Sequence, residues 1–307
     1  MIFMSLKSGF AQMWANKRMV LVFYLANLFF SLMIMLPFRA VLNEFVGHSL
    51  MGAKLGGALD MDFLFEFFKH NRAALTSIAG LFFIVPAAYW LFALFISGGA
   101  FAVFASGEKY TPPLFWGHAA RYFGRFFRLF LWSLPVFAIL FCLQFLVTGI
   151  ERLVFGSDPY QYITYWGGWI KVGLRVISLL LFGLVFDYAR IHTVTTDERR
   201  MRISLWEGIK FAFRNILKTF GLAFFLFIAG AIALVVYNPI ADVLSAPNII
   251  IISLLLVLQQ LYIFFRTMLR LTLYSSQMHL YHSLSSDWQP ETLIATEEEA
   301  GLEGAPA

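Results

Sequence analysis

Long apolar runs alternate with short mixed stretches along the whole chain, and the runs have the length of membrane spans. They cover roughly residues 19–37, 75–96, 129–150, 169–186, 220–236 and 248–265, each near the ~20 residues a helix needs to cross hydrocarbon. The pattern predicts an all-α integral membrane protein of six transmembrane helices. Ahead of the first run, residues 1–18 put Ile2, Leu6, Phe10 and Met13 on one helical face, with Lys7, Gln12 and Lys17 elsewhere. This is the signature of an interfacial amphipathic helix. Residues 112–128 repeat it, with Phe115, Ala119, Tyr122 and Phe126 on one face and Arg121, Arg125 and Arg128 on the other. Lys17-Arg18 before an apolar run also fits a signal peptide. No small-residue cleavage site follows, so residues 19–37 read as an uncleaved first span.

The most basic stretch, residues 187–218, carries Arg190, Arg199, Arg200, Arg202, Lys210, Arg214 and Lys218 between two apolar runs. Lys and Arg concentrate in cytoplasmic loops, so this stretch orients the chain. With residues 1–18, residues 106–128 and the end of span 6 also inside, 16 of the 23 Lys and Arg fall on the cytoplasmic side. Both termini are then cytoplasmic. Residues 39–73 form the external segment, where Phe63, Phe67 and Phe68 suggest helical pieces. An outer loop rich in Tyr, Trp and Gly precedes span 4, and Asn238-Pro239 with Ala246-Pro247 makes an outer turn. Residues 1–283 read as the transmembrane domain and residues 284–307, with Glu297-Glu298-Glu299, as a disordered acidic tail.

Composition narrows the class. Sixty per cent of the 307 residues are hydrophobic, 36 are Phe and 13% are charged, a balance foreign to a water-soluble domain. The net charge of +5 beside apolar spans fits anionic lipid headgroups. No nucleic-acid module is legible. The single Cys142 excludes an intrachain disulfide and reads as a small buried hydrophobe.

A shift of 90 residues aligns Ser106, Glu108, Lys109 and Trp116 with Thr196, Glu198, Arg199 and Trp206, and a shift of 199 aligns Ser5, Leu6, Gly9 and Asn16 with Ser204, Leu205, Gly208 and Asn215. Each match falls where an entry helix precedes an outgoing span, which suggests three repeats of amphipathic helix, span out and span back.

Candidate chemistry is sparse. No catalytic, cofactor or metal constellation is legible: His279 and His282 lack a third ligand, and Asp60, Asp62 and Glu66 face Lys69 and Arg72 one turn on. The anionic-lipid contacts are expected at Arg121, Arg125, Arg128, Lys210, Arg214 and Lys218. Asp187 in span 4 lies level with Arg266 and Arg270 in span 6, so a cross-helix ion pair is expected among them, with Arg190 as the local alternative. The polar residues read inside the spans are Asn27, Gln144, Gln259 and Gln260.

This layout over residues 1–283, through the entry helices and the run from Asp187-Tyr188-Ala189-Arg190 to Trp206-Glu207-Gly208, resembles bacterial six-span inner-membrane families, including the membrane domain attached to some glycerophosphodiester phosphodiesterases. The resemblance implies a bacterial inner membrane and supplies no activity, since the chain holds no phosphodiesterase domain. The expectation is a non-enzymatic protein of membrane organisation, or a complex subunit, with lipids, a membrane-protein partner or a second copy as partners. A transporter or channel is the alternative. An apolar, packed axis favours the first; a polar cavity on the axis favours the second.

Overall fold

The computed structural model describes residues 2–47, 61–156, 160–243 and 248–285. The described residues form helices α1 (Ile2–Ala15), α2 (Lys17–Val46), α3 (Met61–His70), α4 (Arg72–Ala79), α5 (Leu81–Ser106), α6 (Pro112–Phe155), α7 (Gln161–Thr195), α8 (Met201–Arg214), α9 (Ile216–Val243) and α10 (Ile249–Leu284), with no strand among them. Six segments are long and apolar enough to cross a membrane, carried by α2, α4 with α5, α6, α7, α9 and α10. Their outward faces are hydrophobic, as at Phe83, Leu153 and Val235. So large an apolar exterior is tolerated in lipid and not in water.

Helices α5, α7 and α10 touch one another in all three pairs. The other three long helices fill the grooves between them: α2 against α5 and α10, α6 against α5 and α7, and α9 against α7 and α10. Buried side chains gather at one end of this bundle, in the C-terminal parts of α5, α7 and α10 and the N-terminal parts of α2 and α6, covered by α1 and α8. Small residues let the helices cross closely there. A Cβ on Gly99 would lie 2.6 Å from the Phe115 carbonyl oxygen, one on Gly208 2.7 Å from the Ala189 nitrogen, and one on Gly9 2.6 Å from the Ser276 nitrogen.

Helix α1 docks through its small face, and of the expected apolar face Met13 is buried, Ile2 and Leu6 are half-buried and Phe10 is exposed. It buries Ser5, Gly9 and Met13 and exposes Phe3, Phe10 and Trp14. The small face docks on α10, where Ser275 donates to the Gln12 side-chain carbonyl at 2.5 Å, while Gln12 Nε2 donates to the Phe104 carbonyl at 3.0 Å. Close backbone approach outweighs aromatic burial, and the rings turn outward. On α6 the expected buried face, Phe115, Ala119, Tyr122 and Phe126, is the observed one.

The junctions α1/α2 and α8/α9 are built alike. Asn16 (φ −108, ψ 33) and Asn215 (φ −115, ψ 29) each donate from Nδ2 to the carbonyl four residues back, at 3.0 and 3.3 Å. A side chain competing for the i−4 carbonyl interrupts the helix. Asn71, between α3 and α4, does the same, so the break is local chemistry.

Several helices outrun the expected spans. α2 continues to Val46, α9 passes through Pro239 to Val243 where a turn was expected, and only Gly156 to Tyr160 separate α6 from α7. A backbone away from water keeps its hydrogen bonds by staying helical. Phe63 and Phe67 of α3 are buried, with their rings against Phe45 of α2. Residues 48–60, Ala246-Pro247 and the tail from residue 286 lie outside the described residues. Cys142 is exposed on the outer wall and not buried.

Candidate functional site

A cavity of about 780 Å³ opens among α2, α5, α7, α9 and α10. Its walls are hydrophobic, with Phe30, Ile34, Leu179, Leu180, Leu226 and Ile263, and its polar groups include Asn27, Asp187, Arg266, Arg270 and Gln277. Asn27 is held from two sides: the Tyr89 hydroxyl donates to its Oδ1, and its Nδ2 donates to the Thr267 hydroxyl at 3.3 Å. Of the four span amides singled out in the sequence, it alone lines the cavity. Gln260 accepts from Tyr24, Gln144 accepts from Arg175, and Gln259 is exposed.

The charges divide into a closed pair and free cations. Asp187 pairs with Arg190 one turn on along α7, and not with Arg266 or Arg270; the i,i+3 partner reaches the carboxylate without crossing helices. Arg190 also donates to the Ser97 hydroxyl of α5 at 3.0 Å, and its guanidinium lies 4.6 Å from the Phe186 ring centroid, 4.8 Å from Phe101 and 5.3 Å from Tyr274. The carboxylate, the hydroxyl and the rings compensate this buried cation at its terminal nitrogens, while its Nε has no hydrogen-bond partner. Arg270 donates from Nε to the Tyr274 hydroxyl at 3.0 Å. Neither Arg266 nor Arg270 has an ion pair among the described residues. Gln277 is 1% exposed, and neither atom of its side-chain amide has a hydrogen-bond partner.

The basic residues expected to meet lipid have the following neighbours in the protein. Asp197, with a left-handed φ of +50, points its carboxylate between Arg125 (2.6 Å) and Arg121 (2.8 Å). Asp is one of the few residues that tolerates that backbone region. Burial pushes its carboxyl up, but the Arg125 hydrogen bond and the Arg125 and Arg121 charges outweigh this and hold it below its ordinary value. Arg128 lines a second cavity of about 460 Å³ with Trp132, Arg199, Arg200 and Arg202, and the Arg202 guanidinium sits 4.2 Å from the Trp132 ring centroid. Lys210 lies 3.9 Å from Glu207, Arg214 is exposed and Lys218 is half-buried.

Two charged residues inside the fourth apolar run, Lys171 and Arg175, were overlooked in the sequence, although a count of charges along that run finds them. Lys171 pairs with Glu151 at 2.7 Å, Arg175 donates to Gln144, and Ser178 donates to the Leu140 carbonyl at 2.8 Å, a polar ladder between α6 and α7. Among the described residues no group of His, Cys, Asp and Glu could hold a metal. Comparison with family models, curated proteins and solved structures gives no match to this chain. The class that fold and site define, among the described residues, is a helical protein with six segments of membrane-crossing length and composition around a charged cavity.

Proposed function

We propose that this is a non-enzymatic, multi-pass protein of a bacterial inner membrane that admits a solute into its axial cavity, and thus a transporter or carrier and not a packed scaffold. The observation that carries the reading is the cavity: its polar lining at Asn27, Asp187, Arg270 and Gln277 is the arrangement a scaffold would fill with apolar side chains. The orientation follows the basic residues, with both termini cytoplasmic and residues 39–73 outside. The basic helices α1, α6 and α8 engage anionic headgroups on that side.

The bundle is also read as three copies of entry helix, outgoing span and returning span. Two features support this: each entry segment docks on a returning helix (α1 on α10, the start of α6 on α5, α8 on α7), and Gly107 and Asp197, 90 residues apart, both take left-handed φ, at +69 and +50.

Gly183 lines the cavity and a Cβ there meets open space, so Gly183→Cys is a tolerated probe. In a Cys142→Ser background and delipidated detergent, a small charged thiol reagent is expected to label Gly183→Cys, while Ile139→Cys, at mid-span on the outer wall of α6, stays unlabelled. An unreactive Gly183→Cys thiol would mean a closed axis and return the scaffold reading. A periplasm-active reporter, dark after residue 285 and bright at residue 60, tests the orientation.

A further inference from the structure

We infer that the cavity holds a single-chain amphiphile with an anionic head, its head on Arg270 and Gln277 and its chain among the apolar walls. This rests on the reading of the cavity as a solute site.

The charge balance points to an anion. Asp187 is neutralised by Arg190, which is itself sealed against Ser97 and three aromatic rings. Arg270 and Arg266 remain on the same lining without an ion pair among the described residues. Arg270 spends only its Nε, on the Tyr274 hydroxyl, so both Nη groups are left for a ligand. A guanidinium offering two parallel N–H groups matches a carboxylate or phosphate. An unpaired charge beside hydrocarbon is costly, and an anionic head removes that cost.

Gln277 supplies the second, independent sign. A side-chain amide that is 1% exposed, with neither Nε2 nor Oε1 partnered, is rare in folded proteins. It lies two turns along α10 from Arg270 and lines the same cavity. An anionic head accepts from Nε2, and a hydroxyl or protonated group beside it donates to Oε1.

The walls identify the rest of the ligand. From Asp187 the lining runs back along α7 through Leu184, Gly183, Leu180 and Leu179, about 12 Å at the helical rise. Phe30 and Ile34 of α2 and Leu226 and Phe227 of α9 face it. A free inorganic anion would leave that length empty or wet, whereas a hydrocarbon chain fills it. Head chemistry and wall chemistry together define an acyl amphiphile, and both a fatty acid (carboxylate) and a lysophospholipid (phosphate) meet the description.

The test uses protection of the Gly183→Cys thiol in the full chain. Oleate and 1-oleoyl-lysophosphatidic acid are expected to slow labelling, and their relative strength tells carboxylate from phosphate. Oleyl alcohol should be at least about tenfold weaker, as expected for a lost charge-assisted hydrogen bond, and inorganic phosphate alone should not protect. Arg270→Gln should weaken oleate by a similar factor, while Arg128→Gln, outside the cavity, leaves it unchanged. If Arg270→Gln does not fold, the preference of the Arg270 protein for oleate over oleyl alcohol decides. Labelling without protection by either anion, or equal protection by oleate and oleyl alcohol, overturns the inference and leaves the cavity reading standing. Absence of labelling removes both.

Discussion

Gly208 of α8 crosses Ala189 of α7 so closely that a Cβ on the glycine would sit 2.8 Å from the Ala189 Cβ. Two backbones meet there, and neither can yield as a flexible side chain could. Gly208→Leu should therefore destabilise the protein by about 1–3 kcal/mol through overpacking, read as a lower midpoint of thermal unfolding in detergent. Gly117→Ala, with nothing within 4 Å of its added Cβ, should leave the midpoint unchanged or slightly raise it. Equal effects at the two positions would show that the crossing is looser than described.

The Asp187–Arg190 pair is buried, with side chains 10% and 6% exposed, so breaking it strands a charge. Asp187→Asn alone should cost about 3–5 kcal/mol, whereas Asp187→Asn with Arg190→Gln should cost clearly less than the two single losses added. Additive losses in that cycle would show that the two groups do not act on each other. Adding Arg266→Gln to Asp187→Asn should be additive, because no pair joins those residues.

Asp197 ties the loop after α7 to Arg121 and Arg125 of α6. Its carboxyl is held below the ordinary value of 3.8, so the folded form carries the charge more readily than the unfolded chain. The stabilisation is fully present above that ordinary value and is lost as pH falls below it through the folded value. The Asp197 and Arg121 side chains are 43% and 52% exposed, so solvent screens the interaction and the effect on global stability is small. The hydrogen-exchange protection factors of residues 196–200, taken relative to the intrinsic rates at each pH, should fall in that acid range and should not fall in Asp197→Asn. The same acid response in the variant would place the sensitivity in another group.

Anionic lipid should stabilise the protein through the arginine-lined cavity at the junction of α6 and α8. In nanodiscs, replacing a neutral lipid by an anionic one should raise the unfolding midpoint, and Arg128→Gln, Arg199→Gln and Arg202→Gln should each remove about 1 kcal/mol of that gain at low salt. Arg125→Gln should remove less of it, since Arg125 is already committed to Asp197 at 2.6 Å. A lipid response untouched by all four substitutions would separate these arginines from headgroup binding.

Hydropathy made the spans legible because a bilayer demands one property over a fixed length, and a run of apolar residues reports it directly. The buried face of α6 was equally open, since Phe115, Ala119, Tyr122 and Phe126 recur at helical spacing against arginines. The docking surface of α1, Ser5 and Gly9 beside Met13, was not legible, because in lipid large side chains are not driven inward and a small face carries no hydropathy signal. The charged partners of Asp187 depended on side-chain reach within one turn, which depth along two spans does not reveal. Gln277 carried no sequence signal: it lies beyond the last apolar run, and its burial appears only once the helices pack.

The ladder between α6 and α7 bears on how the chain enters the bilayer. Lys171 and Arg175 would oppose partitioning of α7 on its own, and Glu151 would oppose that of the far end of α6. Met as neighbours 2.7 Å apart, Lys171 and Glu151 cancel one another before either needs water, and Arg175 finds the Gln144 side-chain carbonyl. The two helices are separated by only Gly156 to Tyr160, so the second emerges from the ribosome directly behind the first. The hairpin is thus suited to leave the insertion machinery as one unit, with Glu151 of the first helix waiting for the Lys171 charge made after it.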